Sequence, residues 1–134
     1  MNEIAITTVP LQSWEQPWEP AKALKEGTVF PSLYKPFYIV EKMPEPQAMP
    51  QSECESQLLT IQQTSFAITD VLMYLDTHPD DKEGLTELTR LKGIRKELLQ
   101  SFAANHYPLT QDCEGNWADG PIPWDNPTQK GGLL

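Results

Sequence analysis

The sequence predicts a mostly α-helical protein: an antiparallel two-helix hairpin with extended N- and C-terminal arms rich in proline and tryptophan. Among the 13 prolines, Pro79 is the only one between residues 53 and 105, so regular structure is expected to concentrate there. Within that stretch, apolar residues recur every three or four positions on two segments, which is the spacing of amphipathic helices. A short polar stretch around Pro79 separates the two segments and predicts a turn.

The first helix is predicted over residues 53–76, a run with neither glycine nor proline. Ser52 is the expected N-cap, and Glu55 three residues later completes a capping box. The apolar face is wider than one partner helix can cover. Phe66 and Met73 lie beside the main stripe and are expected to need a further surface.

The second helix is predicted from about residue 80 to residue 104. Pro79 cannot continue the first helix but suits the first turn of the next, which Thr77 or His78 would cap. A turn this short makes the two helices pack antiparallel. Because such a hairpin encloses little core, its outer apolar faces are expected to pack on the arms, on a second copy or on a different protein.

The N-terminal arm predicts a short helix over residues 20–26, with proline at its start and Gly27 after its end. Its many large apolar side chains argue against free disorder. Packing on the chain's own hairpin remains an alternative, but we favour docking onto a partner, since Trp and Tyr on proline-flanked segments make good anchors. The predicted partner-binding residues of the arms and hairpin are Trp14, Trp18, Phe30, Leu33, Tyr34, Phe37, Phe66, Met73, Trp117 and Trp124.

The charge of the chain argues against several partners. Its formal net charge is −9, with 10 basic residues scattered among 19 acidic ones, so neither nucleic acid nor an anionic membrane is an expected partner. No apolar run approaches the ~20 residues of a membrane span. No secretory signal is visible, so synthesis in the cytosol is expected. Cys54 and Cys113 lack a paired spacing and are expected as free thiols, although a disulfide or an intermolecular cross-link stays open.

One cluster has the residue types of a metal site: Asp76, His78, Asp80 and Asp81. A helix start uses the same residues as caps and dipole partners, which explains the cluster without a metal. No phosphate-binding loop or zinc motif is present. We therefore predict no catalytic residues, no metal and no cofactor, with a metal-binding auxiliary enzyme that uses the His78 cluster as the less favoured alternative.

Several strings carry a family resemblance. The string Tyr-Leu-Asp-Thr-His-Pro-Asp-Asp at 74–81, together with Phe-Ala-Ile at 66–68, Tyr-Pro-Leu-Thr at 107–110 and Pro-Trp at 123–124, makes residues 57–125 resemble the spore coat protein CotJB. Residues 14–38 resemble the short coat protein CotJA. That second resemblance rests on Trp-Glu-Pro at 18–20, Ala-Lys-Ala-Leu at 21–24 and Gly-Thr-Val-Phe-Pro-Ser-Leu-Tyr-Lys-Pro-Phe at 27–37.

The resemblance implies a fusion of two proteins that the family makes as separate products of one operon. It implies a non-enzymatic scaffold or adaptor, made in the mother-cell cytoplasm and deposited in the spore coat. The implied partner is CotJC, the third operon product, which is similar to manganese catalases. A self-associating coat brick, hence a homo-oligomer, is the alternative. The expected division is a CotJA-like docking segment (1–40), a proline-rich linker (41–51), the hairpin with its C-terminal arm (52–127) and a loose tail (128–134).

Overall fold

The computed structural model of the chain describes residues 10–36 and 49–122. These ranges hold three α-helices and no strand, so the mostly helical class is confirmed. The helices are α1 (Pro20–Glu26), α2 (Glu53–Thr77) and α3 (Lys82–Asn105). Most of the predicted linker, the predicted tail and the candidates Phe37 and Trp124 lie outside the described residues. In the described ranges, no helix combines the length and the apolar character needed to cross a membrane.

Helices α2 and α3 form the predicted antiparallel hairpin. Near the middle of both helices, Arg95 Nε of α3 donates a hydrogen bond of 2.9 Å to Ser65 Oγ of α2. At the start of α3, Gly84 lies against Leu75 near the end of α2. The two contacts follow opposite orders along the two helices, as antiparallel packing requires. The residues buried between the helices and under the N-terminal arm form the main core: Ala23, Val29, Phe30, Ala67, Ile68, Val71, Tyr74, Leu75, Leu88 and Leu91.

The start of α2 follows the sequence prediction with one difference. Ser52 Oγ accepts a hydrogen bond of 3.1 Å from the Glu55 backbone N–H, so the predicted N-cap is confirmed. The reciprocal bond of a capping box would join the Glu55 carboxylate to the Ser52 N–H. The carboxylate instead accepts from the Gln51 N–H at 2.6 Å, one residue earlier.

The turn between α2 and α3 differs from the prediction at the cap. Asp81, and neither Thr77 nor His78, caps α3, because its carboxylate accepts the Gly84 N–H at 2.9 Å. Thr77 is still the last residue of α2, and its hydroxyl donates to the Tyr74 carbonyl at 3.1 Å. His78 closes a tight turn by accepting the Asp81 N–H at 3.2 Å. Pro79 and Asp80, which lie between His78 and Asp81, form this turn. Helix α3 therefore begins at Lys82, later than the position of Pro79 predicts.

The described part of the N-terminal arm contains one short α-helix, and residues 10–19 before it have no regular secondary structure. Its predicted short helix is confirmed as α1, and Gly27 after it adopts a φ of 93° while its N–H donates to the Ala23 carbonyl. Glycine suits this left-handed helix end because it has no Cβ to clash. Helix α1 packs on α2, and Val29 and Phe30 enter the main core. The arm therefore adds a third layer to the hairpin.

The C-terminal arm folds back over the other end of the hairpin. A second, smaller core of Ile61, Leu99 and Phe102 lies where α2 begins and α3 ends. Partly buried residues from both helices and the arm pack against it: Cys54, Leu58, Leu98, Tyr107, Leu109 and Cys113. Beyond them the chain makes a 3-10 turn over Trp117–Asp119.

Candidate interaction surface

One carboxylate fixes the N-terminal arm to the hairpin. Asp70 Oδ2 on α2 accepts a hydrogen bond of 2.8 Å from Thr28 Oγ1 and one of 2.7 Å from the Val29 N–H. On the far side of this segment, the Trp18 N–H donates to the Val29 carbonyl at 2.8 Å. The arm is therefore held by polar bonds as well as by apolar burial. Sequence reasoning missed Asp70, because an aspartate beside the apolar stripe of α2 gives no local sign of a partner in the N-terminal arm.

An aromatic cluster of Trp14, Phe30 and Tyr74 lies under the arm. The Trp14 ring meets Phe30 and Tyr74 edge-on at centroid distances of 5.6 and 5.3 Å, and Phe30 lies 5.4 Å from Tyr74. Edge-to-face pairs stabilise beyond the area they bury. On the side of the turn, the His78 ring stacks on Tyr74 at 4.2 Å with the two planes 3° apart. Tyr74 therefore contacts the arm and the turn at once.

The Tyr74 hydroxyl and the Asp81 carboxylate form a coupled pair. The hydroxyl donates to Asp81 Oδ2 at 2.7 Å while Oδ1 of the same carboxylate caps α3. Burial first, and the hydrogen bond to Asp81 second, raise the pKa of Tyr74 to about 12. The bond from Tyr74, followed by the one from the Gly84 N–H, lowers the pKa of Asp81. Both shifts favour a protonated tyrosine beside an ionised aspartate.

The predicted partner-binding residues that the structure describes are buried, partly buried or exposed. Phe30 is 1% exposed inside the main core, so in this conformation it stabilises the chain itself and is not available to a partner. Trp14, Trp18 and Phe66 are partly buried, and Trp14 and Phe66 pack against the main core. The group with exposed side chains is Leu33, Tyr34, Met73 and Trp117.

Two apolar surfaces, each made of exposed and partly buried residues, follow from these positions. The arm surface consists of Trp18, Leu33 and Tyr34. The Trp18 ring makes two contacts. It meets the Tyr34 ring edge-on at a centroid distance of 5.8 Å, and Lys22 Nζ lies 4.2 Å from its centroid. The outer α2 surface contains Phe66 and Met73, which are seven residues apart and so share one face of the helix; the Met73 side chain is 57% exposed.

The residues considered for metal or thiol chemistry are dispersed or engaged. In residues 10–36 and 49–122, no three His, Cys, Asp or Glu side chains gather in a group that could hold a metal ion. Within the His78 cluster, Asp81 serves as cap and as acceptor for Tyr74. Cys54 and Cys113 are free thiols. Burial first, and the nearby Glu55 carboxylate second, raise the pKa of Cys54, which makes its thiol less reactive.

Comparison with protein families assigns the chain. A family model described as CotJB protein matches residues 55–125, more than half of the chain. The chain belongs to the CotJB family. A second family model, described as spore coat associated protein JA (CotJA), matches residues 3–37 of this CotJB chain. The two matches confirm the fusion that the sequence predicts, and they indicate a spore coat component. No curated protein and no solved structure matches the chain.

The two family ranges contact each other within the described part of this CotJB chain. The CotJB range includes nearly all of α2, the whole of α3 and the described C-terminal arm, while the CotJA range includes α1 and the segment through Phe30. The bonds to Asp70 and the ring contacts of Tyr74 cross from one range to the other. The CotJA-like and CotJB-like segments therefore share one core.

Proposed function

We propose that this chain is a non-enzymatic scaffold or adaptor of the spore coat, and that it binds the manganese-catalase-like coat protein CotJC. The observation that supports the proposal is the apolar surface left over after the core is complete. Trp14 and Phe30 are taken up by the core, yet Leu33, Tyr34 and Met73 stay exposed. Exposed apolar groups on a small chain are typical of interaction sites when they cluster.

The arm surface has the properties of an interaction anchor. Trp18 and Tyr34 contact each other edge-on, which favours one relative arrangement of the two rings. Behind them, Val29 is bonded both to Trp18 and to Asp70. Aromatic side chains that are ordered before binding lose little entropy when a partner covers them. The arm surface is thus suited to a rigid apolar pocket on another protein.

The fusion supports an adaptor built from both segments. A linker alone would keep the two segments at a high effective concentration. Here they also share a core, so the arm surface and the hairpin keep a fixed relation to each other. We infer that a partner contacts the CotJA-like and CotJB-like segments as one surface, and that the fusion fixes their ratio at one to one.

Co-purification tests the proposal. We expect the chain and a co-expressed CotJC to elute together, with the complex lost or strongly weakened in Tyr34→Ala and Met73→Glu variants. Leu11→Ala is the matched control, since Leu11 is 92% exposed and belongs to neither surface, and it should leave the complex intact. Separate elution of the unaltered proteins would contradict the adaptor function.

The same surfaces support a second candidate, a coat brick that self-associates. Light scattering on the isolated chain separates the two functions. A homo-oligomer that Met73→Glu converts to a monomer, without any complex with CotJC, would favour the brick. Elemental analysis of the purified chain tests the less favoured metal-binding enzyme, which requires a stoichiometric metal that a His78→Ala variant loses.

A further inference from the structure

A cavity beside α3 collects basic side chains that the core does not use. Its volume is about 330 Å³, and it lies between α2, α3 and the C-terminal arm. Lys92, Arg95 and Lys96 line it on the α3 side, and Ile68 and Leu99 supply apolar walls. A cavity of this size suits a small ligand.

The charge at this cavity opposes the charge of the whole chain. The chain carries a net charge of −9, whereas three cations and one carboxylate, Asp112, line the cavity. In the part of the chain that the structure describes, the ion pair found is Arg90–Glu87, and it involves none of the three cations. Lys92 and Lys96 are four residues apart, so both side chains lie on the same face of α3. The three cations thus form a local positive site.

Arg95 is held in place at this site. Its Nε donates to Ser65 Oγ of α2 at 2.9 Å, and the residue as a whole is partly buried. Within the described residues, this is the hydrogen bond that Arg95 makes. A guanidinium fixed through Nε keeps its terminal nitrogens for a carboxylate, which they bind as a charge-assisted pair. The site therefore offers a hydrogen-bonded guanidinium, two ammonium groups on exposed lysines and an apolar wall.

We propose that this cavity binds an organic anion: a carboxylate attached to a short apolar body. The carboxylate pairs with Arg95 and with the ammonium group of Lys92 or Lys96, and the apolar body packs on Ile68 and Leu99. Inorganic phosphate satisfies the cations but not the apolar wall, so it binds more weakly. This inference is independent of the partner proposed above, because it concerns neither the arm surface nor the outer α2 surface.

Ligand titration followed by NMR tests the cavity. Sodium hexanoate is the probe, with hexanol as its uncharged match and sodium phosphate as the anion without an apolar body. We expect saturable shifts with hexanoate at the amides around Ser65 and Cys113, and weaker effects from the other two probes. An Arg95→Gln, Lys96→Gln double variant should weaken hexanoate binding about tenfold or more. The first change removes the charge-assisted pair between Arg95 and the carboxylate, and the second removes one of the two ammonium groups beside it. Lys25→Gln, an exposed basic residue of α1, should change nothing.

Cys113 supplies a second, independent measurement because its thiol lines the same cavity. Iodoacetate and iodoacetamide alkylate the same thiolate, so the ratio of their rates reports the local charge and cancels the thiolate fraction. We expect the ratio to favour the anionic reagent at Cys113 and to fall in the double variant. At Cys54, which lies beside Glu53 and Glu55 in the sequence, the ratio should not change.

The outcomes separate the possibilities. Hexanoate binding that requires the two cations, at a constant monomeric mass, supports the proposal. Equal binding of hexanol and hexanoate would show an apolar hole without an anion site and would overturn it. Absence of saturable binding, or an unchanged alkylation ratio in the double variant, would overturn it as well. If the double variant instead dissociates an oligomer of the unaltered chain, the carboxylate comes from a second copy, and the small-ligand site is rejected.

Discussion

At the scale of single residues, Tyr74 makes more tertiary contacts than its place in the sequence indicates. Its ring packs against Trp14 and Phe30 of the arm and stacks on His78 of the turn. Its hydroxyl reaches Asp81. Periodicity identifies Tyr74 only as an apolar position beside the main stripe, because the hydroxyl partner is set by the geometry of the turn. The residue that marks the family string at 74–81 is thus also the contact between arm, turn and hairpin.

A tyrosine with a raised pKa makes stability depend on alkaline pH. Tyrosine in the unfolded chain titrates near ~10, whereas burial and the bond to Asp81 raise the pKa of Tyr74 to about 12 in the folded chain. Between these values the folded state retains a proton that the unfolded state has lost. The free energy of unfolding is therefore expected to fall as the pH rises from about 10 to about 12. Denaturant unfolding across this window measures the slope.

A Tyr74→Phe variant is the control for this slope. Tyr34 and Tyr107 titrate in both proteins, so the difference between the two slopes isolates Tyr74. The variant should also lose part of the stability above pH ~4, because Tyr74 is the first cause of the lowered pKa of Asp81, and a lowered carboxylate pKa stabilises above the unfolded value. Identical alkaline slopes in the two proteins would contradict the raised pKa of Tyr74.

At the scale of elements, the turn shows where sequence reasoning succeeds and where it stops. The end of α2 and the antiparallel pairing follow from Pro79 and from the apolar spacing, both of which are local signals. The cap of α3 does not follow from them. Four residues near Pro79 have side chains that suit a cap: Asp76, Thr77, Asp80 and Asp81. Among them, Asp81 caps α3 and also accepts a hydrogen bond from Tyr74, which is a tertiary contact.

The two helical glycines of α3 are expected to respond in opposite directions to alanine. At Gly84, an added Cβ would lie 2.9 Å from Leu75 Cδ2 and 3.4 Å from Tyr74 Cε1. Gly84→Ala should therefore destabilise the fold by up to about 2 kcal/mol, which is the cost of overpacking reduced by the helix preference of alanine. At Gly93, nothing lies within 4 Å of an added Cβ. Gly93→Ala should stabilise the fold by about 0.5–1 kcal/mol, the helix preference of alanine over glycine.

Thermal or denaturant unfolding of both glycine variants measures the two effects side by side. The pair is informative because the chemical change is the same and only the surroundings differ. Equal effects at the two positions would mean that α2 and α3 do not approach closely at Gly84. The sequence singles out both glycines only as weak helix formers, since close approach of a second helix leaves no local signal.

At the scale of the whole molecule, the N-terminal arm decides the architecture. From the sequence, docking onto a partner is the favoured explanation of its aromatic residues, and packing on the hairpin is the alternative. The structure buries Phe30 and partly buries Trp14 in the main core, while Leu33 and Tyr34 remain outside. The short helix α1 was predictable from proline and Gly27. The hydrogen bonds from the arm to Asp70 were not predictable, because they join residues that are 41 and 42 positions apart in the sequence.

Amide hydrogen exchange on the isolated chain tests most directly whether the CotJA-like and CotJB-like segments share one core. The amides of Val29 and Trp18 donate to Asp70 and to the Val29 carbonyl, so we expect both to exchange slowly, with protection approaching that of α2. Asp70→Ala should remove the protection at Val29, whereas Asp76→Ala, an exposed change on the same helix, should preserve it. Exchange of Val29 and Trp18 at the rate of an unstructured peptide, while α2 and α3 stay protected, would contradict the shared core.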